Sequence, residues 1–271
     1  MLGRSHALCG LTFGATVAAA LPEAPLPVRL LVIPIAGGSA LLPDIDKPGS
    51  RVARSLGPIT WLISKMVAWT AEEVYLATRT AKDSKYTNGG HRRLSHTVPG
   101  CVLFGGLAAA AFLHPIAAAV MLGLLSGLLL GVVPQVVRFI CWVLWQFHIR
   151  SRRNEVRLVL FAAVAATSWI AVHEQMDWWW IWPLVVAGGC FVHILGDTVT
   201  SSGTPMLWPI TRGGKRWGNL RTWIYFDTGS PYERGPVTRR LWVTFVVSLM
   251  FAAGIAQPLL AAVYRSAWVT G

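Results

Sequence analysis

Long apolar runs broken by short polar stretches dominate the chain. Seven runs, over residues 6–21, 28–43, 97–113, 115–133, 158–173, 181–196 and 241–263, are almost free of charge. A membrane-spanning helix needs about 20 predominantly apolar residues, so several runs are short and their ends are soft by a few positions. Gly and Ala recur inside them, as in Gly123, Gly127 and Gly131, a spacing that lets helices approach closely in lipid. Two further stretches mix apolar and charged positions. Residues 59–77 include Lys65, Glu72 and Glu73, and 135–149 carry Arg138, Trp142, Trp145 and Phe147 ahead of the basic run Arg150-Ser151-Arg152-Arg153. Both predict amphipathic helices, 59–77 on the bilayer or over a site and 135–149 at the membrane interface. Residues 82–90 read as loop, and 198–236, rich in Gly, Pro, Trp and Arg, are too polar to span.

The predicted fold is therefore all-α: a polytopic integral membrane helical bundle of about seven spans. It forms a single domain over 1–271, with an insert at 47–90 and a polar loop at 197–240. Composition agrees, since 54% of residues are hydrophobic and 13% charged, about half the charged share of a soluble domain. Residues 1–20 resemble a signal peptide in outline, but Gly10, Thr12, Gly14 and Thr16 make a poor apolar region, and an uncleaved first span is the preferred reading. Cys9, Cys101, Cys141 and Cys190 sit singly in apolar or small-residue stretches and read as buried thiols.

The net charge of +12 suits nucleic acid or a membrane. Its placement decides between them. With the N-terminus in the cytoplasm, threading seven spans puts 21 of the 24 Lys and Arg on the inner side, the asymmetry expected of an inner-membrane, multi-pass protein. No nucleic-acid partner is expected; membrane lipids are. Trp178, Trp179, Trp180 and Trp182 then form an aromatic belt at the outer interface.

The same threading collects ligand-type side chains. His6, Asp44, Asp46, His91, His96, His193 and Asp197, far apart in sequence, all fall at the cytoplasmic ends of apolar runs. His193 and Asp197 are four residues apart, so a helix presents both on one face. They could hold a metal together, or simply hydrogen-bond. Asp44 and Asp46 follow Pro43, where a turn can aim two carboxylates at one cation; a solvated helix-end turn is the plainer alternative. His91 and His96 are too far apart for one helical face, which predicts a turn. Arg92 and Arg93 between them could grip a phosphate or carboxylate through forked hydrogen bonds, or merely line a basic membrane surface.

Taken in order, Ser5-His6, Leu42-Pro43-Asp44-Ile45-Asp46, His91-Arg92-Arg93-Leu94-Ser95-His96-Thr97, His193-Ile194-Leu195-Gly196-Asp197 and Thr200-Ser201-Ser202-Gly203-Thr204-Pro205, with Trp208-Pro209 after it, resemble the YdjM-type membrane-bound metal-dependent hydrolases. The resemblance implies an integral inner-membrane protein and a distant likeness to zinc-dependent phospholipase C. It also implies that His6, Asp44, Asp46, His91, His96, His193 and Asp197 are the metal ligands. Lys47 stands where the family often has His, Arg93 replaces a commonly small residue, Ser95 replaces a common Thr, and the 47–90 insert is long.

The expected function is hydrolysis by metal-activated water of a phosphoester, lipid-linked in one version. A mixed His/Asp set suits zinc best among divalent metals, with manganese or iron as alternatives and two ions plausible. Asp44 or Asp46 would serve as base where it is not a ligand, Arg92 and Arg93 would hold an anionic group, and Ser201, Gly203 and Thr204 would shape the pocket rim. The rival is a non-enzymatic membrane adaptor or regulator with a structural metal, whose basic inner loops bind headgroups or a soluble partner. A transporter would need ionisable residues in mid-span, and the runs hold almost none.

Overall fold

The computed structural model describes residues 1–55, 57–86, 90–132, 134–146, 153–174 and 176–254. Among them are nine α-helices and isolated β-bridges but no strand. Each apolar run becomes a helix: α1 (Gly3–Ala20), α2 (Leu26–Ser39), α4 (Val98–Ala111), α5 (Pro115–Val132), α7 (Arg153–Glu174), α8 (Ile181–Thr198) and α9 (Thr238–Ala252). The two amphipathic stretches become α3 (Pro58–Thr78) and α6 (Pro134–Gln146). The far end of the last apolar run, His148 and most of the basic run 150–153 lie outside the described residues.

Three segments are long and apolar enough to cross a membrane: Leu26–Asp46, Pro115–Val132 and Ile181–Thr198; Val98–Ala111 is apolar but shorter. Their outward faces carry large apolar side chains. Val102 and Leu107 of α4, Val120 of α5 and Leu184 of α8 are all more than half exposed. A water-soluble bundle would turn such residues inward.

The core lies where α2 meets α1, α5 and α8. Ile35, Leu122, Ile181 and Trp182 are fully buried there. Lipid tails are as apolar as these side chains, so close packing rather than escape from water holds such a core. Two glycines set the spacing. A Cβ on Gly10 would lie 2.5 Å from the Ala36 carbonyl oxygen, and one on Gly38 would lie 1.9 Å from that of Leu125. The α1–α2 and α2–α5 crossings depend on them. The glycine series in α5 does not act this way throughout: Gly123 faces open space, and Gly131 meets Ser55 rather than a helix.

Helix ends are set by local chemistry. Pro27 starts α2, and Pro43 sits at the start of a 3-10 turn, Leu42–Asp46, that follows it. A second 3-10 turn, Leu94–His96, leads into α4, whose first turn is capped by Thr97: its Oγ1 accepts the Gly100 N–H at 3.0 Å. These two turns, the start of α1 and the end of α8 meet at one end of the bundle.

Candidate metal centre

All seven ligand-type residues converge, forming three overlapping groups whose donor atoms lie within 4.8 Å of one another: His6, His193 and Asp197; Asp44, His96 and His193; Asp46, His91 and His96. His6, Asp46, His96, His193 and Asp197 are fully buried. Asp44 remains about one-fifth exposed, and His91 about one-quarter.

Each imidazole is aimed by a partner. His193 Nδ1 lies 2.8 Å from the carbonyl oxygen of Ala40, just past α2. A carbonyl can only accept, so Nδ1 carries the proton and Nε2 of the neutral ring is a bare lone pair. His96 Nδ1 faces Asp46 Oδ2 at 3.2 Å and Ser95 Oγ at 3.1 Å. An ionised carboxylate also only accepts, so Nδ1 carries a proton and Nε2 of the neutral ring is bare. Burial opposes a second proton on His96, but the charges of Asp46, Asp197 and Asp44 outweigh it and raise the pKa above the ordinary value. Those two Nε2 atoms are 3.3 Å apart. Asp44 Oδ1 is 3.9 Å from both, and Asp197 Oδ2 is 3.6 and 3.8 Å from them.

With both rings neutral, these four atoms are electron-pair donors crowded together. A metal cation, or a proton shared between the two nitrogens, relieves their repulsion. The spacing fits: two nitrogens bound at ~2.0–2.1 Å in tetrahedral geometry sit roughly 3.3 Å apart. Unpartnered buried atoms mark the same place. Both ring nitrogens of His6 make no hydrogen bond, and Asp197 Oδ2 makes none either, its one cationic partner being Arg92 at 3.1 Å, although buried polar atoms in native proteins are almost always paired. The His6 ring stacks on that of His193, centroids 3.6 Å apart, with Nε2 3.2 Å from Asp197 Oδ1. The Met1 amine is 2.5 Å from the same oxygen. The residues present fit a divalent cation held by His96, His193, Asp44 and Asp197, with His6 beside them.

Asp46 has a different position. Oδ1 receives His91 Nδ1 at 2.7 Å; Oδ2 receives Ser95 Oγ at 2.6 Å and the Arg92 N–H at 2.9 Å besides facing His96. It therefore orients His96 and the turn around it, the role carboxylates take behind metal-bound imidazoles. As a ligand, with His91 and His96, it would exchange those hydrogen bonds for a second ion.

Arg92 and Arg93 part company. Arg92 has a left-handed backbone, φ 56°, which a non-glycine residue adopts at some cost. Its N–H bonded to Asp46, its Nη2 at 3.1 Å from Asp197 Oδ2 and its Nη1 at 3.4 Å from the Gly203 carbonyl hold it there. Arg93 turns away. Its guanidinium lies over the Tyr75 ring of α3, 3.9 Å from the centroid, and Nη2 bonds the Tyr86 carbonyl. Of the residues expected at a pocket rim, Thr204 braces the centre from behind, its Oγ1 donating to the His96 carbonyl at 2.8 Å. Gly203 anchors Arg92, and Ser201 pairs with Phe226, away from the ligands.

A family model described as YdjM inner membrane protein matches residues 1–269. The chain belongs to that family. No curated protein and no solved structure matches it. Membership in the YdjM family agrees with an inner-membrane location and with the lipid-facing apolar helices.

Sequence reasoning did not assign the Ala40 carbonyl, Ser95 or Thr204 to supporting the ligands. No motif marks a backbone carbonyl. Ser95 and Thr204 stood beside residues that had been singled out, but only their contacts separate supports from bystanders.

Proposed function

We propose that this YdjM-family protein is a multi-pass membrane hydrolase whose divalent metal, zinc by preference, serves hydrolysis of a phosphoester. The observation that carries the reading is the convergence of two imidazole Nε2 atoms, 3.3 Å apart, with two carboxylate oxygens 3.6–3.9 Å from them. When bound, the cation supplies water activation and polarisation of the bond under attack. The protein's own groups supply the rest. His96 and His193 are locked in one tautomer by Asp46 and Ala40. Asp44, the least buried of the inner carboxylates, would face the cation through Oδ1 and take the proton from the attacking water on its other oxygen. The water oxygen attacks phosphorus, the bond to the leaving oxygen breaks, and Asp44 passes the proton it has taken to that oxygen as it departs. Arg92, held by Asp197 and Gly203, still has free N–H donors for charge developing on the phosphoryl oxygens.

Helix direction supports seven spans. Ligands come from the start of α1, the end of α2, the turn before α4 and the end of α8. With α3 and α6 outside the count, an alternating thread puts all four on one side, the side where the Lys and Arg gather. That side is the cytoplasm.

The test is metal analysis of the purified full-length protein, with hydrolysis of a phosphomonoester and phosphodiester panel. About one or two equivalents of transition metal, and turnover that falls at least 100-fold in Asp44→Ala, are expected. Absence of metal from the wild type sinks the proposal. Metal without turnover, unaffected by Asp44→Ala, favours an adaptor with a structural ion.

A further inference from the structure

A cavity of about 560 Å³ opens beside the centre, with Asp44 and His91 in its wall. Five cationic side chains line it: Arg4, Lys47, Arg51, Arg92 and Arg234. They come from α1, the start of the insert (Lys47 and Arg51), the segment just before α4 and the π-helical turn Glu233–Val237 that precedes α9. Against them the wall offers one carboxylate, Asp44. Among the described residues, Arg4, Lys47, Arg51 and Arg234 form no ion pair, and Arg92 alone is paired, with Asp197. Arg4 also keeps a buried Nε with no hydrogen-bond partner.

Like charges gathered around a concavity repel, and their mutual repulsion is relieved by an anion. A solvated basic surface would spread its cations outward; here segments from four parts of the chain bring them to one hollow. Its size suits a small ligand, for which pockets of roughly 300–1,000 Å³ are usual. Val132, the last residue of α5, and Val52 also line it, so the cavity reaches the end of a helix of membrane-spanning length.

We infer that this cavity binds a phosphate-rich anion carrying two or more negative charges, a diphosphate or a terminal phosphomonoester, and presents it to the centre. The inference names the substrate class of the proposed hydrolase and rests on that reading for its purpose. Lys47 contributes an ammonium to the cavity wall. Arg51 and Arg234 are the outer grips, exposed and remote from the ligands' hydrogen bonds. Arg4 and Arg92 are the inner ones. The anion could arrive free or as a lipid headgroup; both share the chemistry that the five cations recognise.

The experiment uses the full-length protein in detergent, with inorganic pyrophosphate titrated by calorimetry and metal content measured on the same samples. The double variant Arg51→Ala/Arg234→Ala is expected to weaken pyrophosphate binding at least tenfold with metal content unchanged. Arg239→Ala/Arg240→Ala, which removes two exposed cations of α9 outside the cavity, should stay within twofold of wild type. Wild-type affinity in the first variant, or no pyrophosphate binding by the wild type, overturns the inference. Nanodiscs of phosphatidylcholine with and without phosphatidic acid identify the source. Displacement of pyrophosphate by the phosphatidic acid discs alone supports a lipid headgroup, and pyrophosphate binding without displacement supports a soluble anion. Metal-free protein that still binds pyrophosphate through Arg51 and Arg234 removes the hydrolase reading and keeps the cavity. Metal-loaded protein that ignores pyrophosphate does the reverse.

Discussion

Two carboxylate-centred knots lie at the same end of the bundle, and they are built on opposite principles. Around Asp83, every partner is a donor. Oδ2 accepts the Thr80 N–H at 2.8 Å, the Thr80 hydroxyl at 3.0 Å and the Arg216 N–H at 3.2 Å, and Oδ1 accepts the Trp217 N–H at 3.0 Å. Arg216 Nη1 and Trp217 Nε1 then reach back to Thr78, at 2.9 and 3.1 Å. The charge is fully met, and the result ties the end of α3 to the 212–217 loop. Around Asp197 and Asp44, donors and acceptors mix. The Met1 amine and Arg92 reach Asp197, but imidazole nitrogens and a second carboxylate crowd the same place, and Asp197 Oδ2 faces two of those nitrogens without a hydrogen bond from either. A satisfied carboxylate is a fastener. Ligand-type groups gathered beyond what their donors satisfy make a candidate socket, and the difference between fastener and socket is what marks one region and not the other as a candidate for a bound ion.

Removing a wall of the socket breaks that comparison most sharply. His193→Ala deletes one inner donor and the ring on which His6 stacks, and it should abolish stoichiometric metal binding. Chelation should then lower the melting temperature of the wild type by several degrees and leave the variant unmoved, because only a bound ion adds mass-action stability. Metal retained by His193→Ala at wild-type levels would make the centre a second fastener. Asp46→Asn is milder. The ligands stay, but His91 and His96 lose the ionised acceptor that orients them, and metal affinity should fall about 10–100-fold, read by competition with a chromogenic chelator.

The fastener should respond in the opposite manner. Asp83→Asn should cost roughly 1–3 kcal/mol of stability through weakened charge-assisted hydrogen bonds, with metal content unchanged. Its pH dependence has a definite sign. Burial pushes the Asp83 carboxyl up, but the hydrogen bonds from Thr80, Trp217 and Arg216 outweigh this and hold it below its ordinary value. The folded form therefore binds its proton less readily than the unfolded chain. The stabilisation is complete above about pH 4, the unfolded carboxyl value, and is lost as pH falls through the lower folded value. The gap between wild type and Asp83→Asn in chemical denaturation should narrow on that descent. A gap that widens instead would mean that Asp83 is not held ionised by its donors.

The helices and the gathering of ligand-type residues were legible in the sequence for different reasons. Apolar runs such as 115–133 and 181–196 carry their own signal, because a bilayer-facing helix must be greasy along its whole length. His6, Asp44, His96 and Asp197 could be grouped only because span direction placed them on one side; their distances could not be read. Asp83 was invisible, since one acid in a polar loop looks the same whether it meets water or four donors. The separation of Arg92 from Arg93 was also hidden. It depends on the positive φ at Arg92, and nothing in a pair of adjacent arginines reveals that one will grip Asp197 while the other stacks on Tyr75. The cationic cavity, too, needed three dimensions, for Arg4 and Arg234 are remote in sequence.

The smallest expected effect joins the two regions. Thr204 is fully buried in the loop that follows α8, and its hydroxyl donates to the His96 carbonyl. Its backbone N–H and carbonyl pair with Leu220, at 3.1 and 2.7 Å. Thr204→Val keeps that pairing and nearly the same shape, removing only the hydroxyl. About 1 kcal/mol of stability should be lost, because the His96 carbonyl keeps its burial without its donor. Metal affinity should fall less than tenfold, since Asp46 and Ser95 still aim the ring. A larger loss would mean that the 198–226 loop shapes the socket itself, and the boundary between fastener and socket would then run through Thr204 rather than beyond it. No loss in either measurement would mean that the turn before α4 holds His96 unaided, so the loop could vary without cost to the centre.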